Sequence, residues 1–505
     1  MRKLFLKNSI SGILPPILSA LLTFISIPIF IKFLGIERYG VFSLIMLIGS
    51  LSTFTNLGLS TSLSRFLIEQ GKTKQSNYDI AVTIIIQITL IIPLSILVFI
   101  FNDYVLEKIF CIPVHLNSDA YYLLVFMILS NILNLIGQSF NAILDSLLLV
   151  YIKNILTPIS SSLNWVLILI VLFLGFGLKD IGFAWFLSTL IWFCLLAITA
   201  FKKWGKFSLR GIRSKFFYTA KKQISYGIKI YAQGLIAFFF EPLIKIIIAN
   251  FFGIREVGYF DIAMKIKNQL SNMLHSLLYP IYPLLASIKD ESKTRFLVRE
   301  FEQKIFILIV PIVSMIIIIL PSLIYLWLGS DNYTLNVYAL LILVSFLLCY
   351  IPIVPLHYYF VAKGLAEKIV YYRLIIVISN LIIFFTFYPF LNKYSIGVSY
   401  AISFITSFIY FLHLQKKYLN ILIFTSFYNS LKLFLLLISN IGIGILLSYS
   451  IKLKLIILII IPIAIFICTI IMYRFFKFFT IDDLERYFGK RLIIATIIRK
   501  MVIAN

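Results

Sequence analysis

Charge is scarce in this chain, and negative charge most of all. Only 13% of its 505 residues are charged, with 20 Asp and Glu against 45 Lys and Arg. A soluble domain carries roughly a quarter charged residues, so a soluble fold is excluded. Cysteine is nearly absent. Cys111, Cys194, Cys349 and Cys468 form no C-x-x-C pair, and three lie in apolar stretches, which argues against a disulfide or metal framework. The four histidines, His115, His275, His357 and His413, show no metal-ligand spacing. No metal or other cofactor is expected. No small-residue cleavage site follows the basic N-terminus, so the apolar run from Ile10 is expected to stay as a first helix.

What fills the chain instead is hydrocarbon, at 61% of residues. Apolar runs of about 20 residues recur from end to end, the length that crosses a bilayer as a helix. The reading is an all-α integral membrane protein with about fourteen spans. They fall near 10–31, 40–68, 80–101, 120–143, 154–176, 181–200, 224–251, 257–288, 300–328, 335–361, 369–391, 396–415, 430–450 and 455–475. Placing the N-terminus in the cytoplasm puts 32 Lys and Arg in cytoplasmic segments and 8 in outer loops, with five inside spans. That bias sets orientation, and both termini are expected in the cytoplasm. The excess of positive charge is then topology and needs no nucleic acid. Anionic lipid at the cytoplasmic face is the expected partner.

One stretch occurs twice. Phe33 to Phe42 reads F-L-G-I-E-R-Y-G-V-F, and Phe251 to Phe260 reads F-F-G-I-R-E-V-G-Y-F. Gly35, Ile36, Gly40 and Phe42 return as Gly253, Ile254, Gly258 and Phe260, each 218 positions on. Asn164 returns as Asn380 at an offset of 216, and Gly182 as Gly397 at 215. Matches in one order at one spacing indicate a duplication. Two six-helix lobes follow, related by a pseudo-two-fold axis along the membrane normal because six spans preserve orientation. The expected division is a first lobe at 1–200, a basic cytoplasmic linker at 201–222, a second lobe at 223–418, and two extra helices with a basic tail at 419–505. The linker carries eight Lys and Arg, no acid, and interleaved aromatics that suit the membrane interface.

The eighth span holds the sharpest polar pattern. Asp261, Lys265, Asn268, Asn272, His275 and Tyr279 are spaced 4, 3, 4, 3, 4 and share one helix face. A charge near the bilayer centre costs at least about 2.5–3.5 kcal/mol, so the stripe faces either a polar helix seam or a water-filled cavity. The seventh span adds Glu241 and Lys245, one turn apart. Lys229, nearer the cytoplasm, either joins them or snorkels to the interface. At the 218 offset the first copy has Thr23, Ile27, Ser43 and Leu47 where the second has Glu241, Lys245, Asp261 and Lys265. The fold therefore does not need charge there. In the second span, Gly49, Thr53, Asn56, Ser60 and Ser64 make a softer stripe ending near Arg65. Close packing explains its small residues. Asn56 is large enough to meet sugar hydroxyls, and Arg65 either snorkels or binds an anion.

The run G-I-E-R-Y-G-V-F-S-L from Gly35, then N-L-G-L from Asn56, then S-R-F-L-I-E from Ser64 resembles the start of bacterial polysaccharide flippases. These are Wzx-type O-antigen and capsule translocases of the multidrug/oligosaccharidyl-lipid/polysaccharide exporter superfamily, which is MATE-like. The regions of Asn164 and Gly182, and of Asn380 and Gly397, are similar to that family too. Where the second span of the family has an acid before its Gly-Leu, this chain has Asn56-Leu57.

The resemblance implies a translocase, not an enzyme, in the bacterial cytoplasmic (inner) membrane. Its substrate would be an undecaprenyl-diphosphate-linked oligosaccharide, with H+ or Na+ as coupling ion and other glycan-assembly membrane proteins as neighbours. The candidate substrate and ion cavity is Glu241, Lys245, Asp261, Lys265, Asn268, Asn272, His275, Asn56, Arg65 and Lys229. Lys229, Lys245, Lys265 and Arg65 would meet the diphosphate. A small-molecule antiporter of the same superfamily is the rival reading, and a membrane glycan polymerase or ligase a more distant one. The longest outer loop, near Asn102 to Asp119, has no catalytic arrangement for the latter.

Overall fold

In a computed structural model, the described residues are mostly helical and include no strand. The structure describes residues 14–476 apart from 206, 208–210, 279–280, 282–283, 286–287, 289, 330–331, 421–426 and 451–453. The side chains of some helical residues, Lys229 among them, also lie outside the described set. The chain divides into two compact units, Met1–Met273 and Leu274–Asn505.

The first unit opens with α1 (Leu14–Ile45), which turns sharply at Gly35. Two short helices follow, α2 (Leu51–Asn56) and α3 (Leu59–Gln70). Next come α4 (Lys74–Ile100), α5 (Val114–Ser146), α6 (Val150–Phe173) and α7 (Leu178–Trp204). The last two are α8 (Ile212–Phe252) and α9 (Ile254–Leu278), whose last five residues belong to the second unit. The 41-residue α8 starts within the basic link, so the second half of that link forms its first three turns. Phe217 and Tyr218 stand exposed there among Arg213, Lys215 and Lys221.

The second unit holds α10 (Glu291–Leu328), α11 (Tyr333–Ser345) and α12 (Val354–Ala362). Then come α13 (Ala366–Leu391), α14 (Ser395–Leu419), α15 (Phe427–Ser450) and α16 (Lys454–Phe476). Asp290 caps α10, accepting from Ser292 N at 2.8 Å. The Ser292 hydroxyl and backbone bonds hold its carboxyl below the ordinary range.

Helices occupy all fourteen expected intervals. Nine helical stretches among the described residues are long and apolar enough to cross a membrane, with α13 and α14 counted as one. The second span breaks at Leu57 and Gly58, both at positive φ, while α8 and α9 carry the polar stripe. The tenth span is interrupted by a π-helical turn at Phe346–Tyr350 and a 3-10 turn at Ile351–Ile353, where Pro352 removes a donor.

The duplication extends below the level of sequence. Gly35 (φ 81°, ψ 165°) and Gly253 (φ 88°, ψ 170°) make the same corner. No β-carbon tolerates that backbone cheaply. Pro93 in α4 and Pro311 in α10 stand 218 positions apart. In the first unit Gly182 lies against Leu123, and in the second Gly397 lies against Leu341. Those leucines are also 218 apart.

Candidate functional site

The corner at Gly253 explains the site. Lys245 and Asp261 each lie eight residues from it, one before and one after. At 1.5 Å per residue, antiparallel α8 and α9 bring both to one depth, about 12 Å from the corner. Glu241 and Lys265 each lie twelve residues away and form a second rung, about 18 Å in. Charges alternate around these four positions.

Three sides of the resulting ring are ion pairs. Lys245 Nζ lies 2.5 Å from Asp261 Oδ1 and 3.4 Å from Glu241 Oε1. Lys265 Nζ lies 3.2 Å from Asp261 Oδ2. The fourth side, Glu241 to Lys265, has no ion pair among the described residues. Burial follows the same division. The Lys245 and Asp261 side chains are 7% and 4% exposed, while those of Glu241 and Lys265 are both 29% exposed. A charge pair enclosed this way needs every lone pair matched. Tyr39 supplies the missing donor, its hydroxyl donating to Asp261 Oδ2 at 2.7 Å. The same hydroxyl accepts from Lys265 Nζ at 2.8 Å. Asn268 Nδ2 donates to Glu241 Oε2 at 3.3 Å.

Glu241, Lys245, Asp261, Lys265 and Asn268 therefore form one cluster in the first unit. Further along the stripe Asn272 is exposed. His275 lies in the second unit, with Nε2 3.3 Å from the Tyr350 hydroxyl, beside the π-helical turn. Asn56 and Arg65 are engaged elsewhere. Asn56 donates to Gln138 and accepts from Ser60 N at 3.1 Å, serving the helix restart after Gly58. Arg65 pairs with Glu69 at 2.7 Å and lies over the Tyr226 ring at 4.4 Å. The Lys229 side chain falls outside the described residues.

Tyr39 is the member sequence reasoning missed, although a signal was present. The 218 offset sets Tyr39 against Val257, so it differs between copies just as the charges do. The cluster presents charges and hydrogen-bonding groups; among the described residues it has no nucleophile with an activating base. No group of three or more metal-ligating side chains occurs among the described residues.

The fold is similar to that of the lipid II flippase MurJ in an inward closed conformation. That match has 16% identity and a TM-score of 0.71, over 93% of this chain and 99% of the other. It is also similar to a multidrug resistance MATE family transporter of the MOP superfamily. The inward-facing form matches at 16% identity and TM-score 0.64, over 82% of this chain and 98% of the other. The outward-facing form matches at 15% and 0.57, over 83% and 96%. These likenesses show the fold, the all-α membrane fold that the MurJ and MATE structures share. Residues 5–289, more than half of the chain, match the model of the family described as polysaccharide biosynthesis protein, and the chain belongs to that family. No curated protein sequence matches it.

Proposed function

We propose that this protein is a flippase carrying a polyprenyl-diphosphate-linked oligosaccharide across the bacterial cytoplasmic membrane by alternating access. The observation that carries the reading is the half-open charge ring: a polar site on two helices of an apolar protein, present in one copy of the repeat only. Unpartnered hydroxyls cost kilocalories in hydrocarbon, so a glycan crosses only where polar groups replace water. Glu241, Lys265, Asn268 and Asn272 supply such groups on the accessible side. Lys265 and Lys245 attract the diphosphate, with Lys229 and Arg65 nearer the cytoplasm as first contacts.

In this reading the lobes are residues 1–200 and 223–418, with 201–222 as linker and 419–505 as an appendix. Both termini are cytoplasmic, anionic lipids contact the basic face, and H+ or Na+ drives the cycle. Membership of the polysaccharide biosynthesis family supports a glycan over the small molecule of a MATE-like antiporter. The test is complementation in cells lacking their own flippase. Lys265→Ala and Glu241→Ala should lose surface glycan at normal protein levels, and full activity of both would overturn the assignment.

A further inference from the structure

The charge ring matches its acids with cations, but a second buried acid has none. Glu302 on α10 is fully buried, as is Gln415 on α14. The Gln415 amide donates to Glu302 Oε2, the one hydrogen bond between them among the described residues. Among the described residues two oxygens have no hydrogen-bond partner, Glu302 Oε1 and Gln415 Oε1. Charged and titratable groups stand on every neighbouring element. They are Glu291, Lys293, Arg295, Arg299, Glu300 and Lys304 on α10, Tyr338 on α11, Cys349 and Tyr350 in the π-helical turn, His357, Tyr358 and Tyr359 on α12, Glu367, Lys368, Tyr371, Tyr372 and Arg373 on α13, Tyr410, His413, Lys416, Lys417 and Tyr418 on α14, Lys432 on α15, and Tyr473 and Arg474 on α16. None bonds or ion-pairs with Glu302.

An isolated carboxylate cannot be buried at tolerable cost. One proton resolves both defects. Placed on Glu302 Oε1, it neutralises the acid and supplies a donor for Gln415 Oε1, closing a two-bond carboxyl–carboxamide ring. The corresponding place in the first unit shows that the fold does not require this. By the offsets of Pro93 to Pro311 and Gly182 to Gly397, Glu302 and Gln415 correspond to Ile84 and Ala200. Those two pack in a single apolar cluster.

We propose that Glu302 is a proton-binding site, occupied while α10 and α14 are joined and emptied when they part. Its use in a transport cycle rests on the flippase reading; its existence does not, so the test is made on the resting protein. Infrared difference spectra of wild type against Glu302→Gln at neutral pH should show one protonated-carboxyl C=O stretch lost.

The pH dependence of stability gives a second readout. Above the free glutamate pKa of about 4.3, the folded state holds a proton that the unfolded chain has released. A group protonated only when folded adds stability that falls as pH rises, by about tenfold in the folding constant per unit. The thermal midpoint of Glu302→Gln should therefore pull ahead of wild type as pH is raised from 5 to 8. The pair Glu302→Ile with Gln415→Ala, which copies the first unit, should show the same flat profile should the single variant fold poorly. No lost band, or parallel pH profiles, overturns the proposal.

Discussion

Gly40 and Gly258 hold one place in the two copies of a repeated motif, and each presses on the other copy's isoleucine. A β-carbon on Gly40 would lie 2.2 Å from the carbonyl oxygen of Ile254. One on Gly258 would lie 2.8 Å from that of Ile36, the counterpart of Ile254. Such exchange of contacts is what a two-fold operator generates. It occurs next to the Gly35 and Gly253 corners and explains why small residues recur in both copies.

Gly40→Ala should therefore destabilise the protein, because its obstacle is backbone and cannot step aside. Overpacking of this kind costs about 1–3 kcal/mol. Gly35→Ala meets no atom within 4 Å but must hold φ near 81°, costing about 1–3 kcal/mol through strain alone. Gly49→Ala, with nothing within 4 Å and no positive φ, should be near neutral. Thermal midpoints in detergent would check the order. A harmless Gly40→Ala would mean that the helices do not meet as described.

The Lys245–Asp261 pair yields a stability prediction separate from transport. Removing one partner of a buried pair leaves a lone charge and typically costs about 3–5 kcal/mol. Lys245→Met should lower the unfolding midpoint strongly. Lys245→Met with Asp261→Leu should cost less than the two changes summed. Lys265→Ala, on the open side of the ring, should disturb folding least. Additive effects in the double variant would show that the pair is not coupled.

Much of this was legible before any coordinates. Apolar runs located the helices, and the 4-3-4-3 spacing located the polar face of α9. Positions eight and twelve residues either side of Gly253 already implied two charged rungs, once the glycine was read as a tight corner. What could not be read was engagement across elements. Tyr39 needed the knowledge that the start of the second span packs on α9. Asn56 looked like a free amide, yet a local helix break uses it. Glu302 sits in a run of charged residues, and only packing shows that α14 covers it.

Topology gives a prediction that needs no structure. Reporter fusions at Gly205 and Gly489 should behave as cytoplasmic and one at Asp331 as external, following the Lys and Arg bias. A cytoplasmic signal at Asp331 would break the fourteen-span arrangement and reverse the depth of every residue assigned to the second lobe.

Accessibility distinguishes a cavity from a sealed seam. In a background lacking the four native cysteines, Lys265→Cys and Asn272→Cys should react with a membrane-impermeant thiol reagent. Ala263→Cys, on the fully buried face of α9, should not. The Met273 side chain is 49% exposed, so it is a poor shielded control despite lying off the stripe. Equal labelling of positions 263 and 265 would remove the reason to place substrate beside the ring.

The open side of the ring is where transport and stability should separate. Lys265 and Glu241 face each other across a gap without an ion pair, and both are partly exposed. An arriving anionic group can take the Lys265 ammonium without first breaking the buried Lys245–Asp261 pair. Lys265→Ala should then cut surface glycan severely while shifting the thermal midpoint little. Lys265→Arg keeps the charge and should recover part of the activity. Glu241→Gln keeps hydrogen bonding to Asn268 but removes the charge that holds Lys245 from its second side. It should slow transport less than Glu241→Ala does. Surface glycan read beside protein level and melting midpoint separates these cases. If loss of glycan tracks loss of stability across the set, the ring is a structural brace, and the substrate path must be sought along another face of α9.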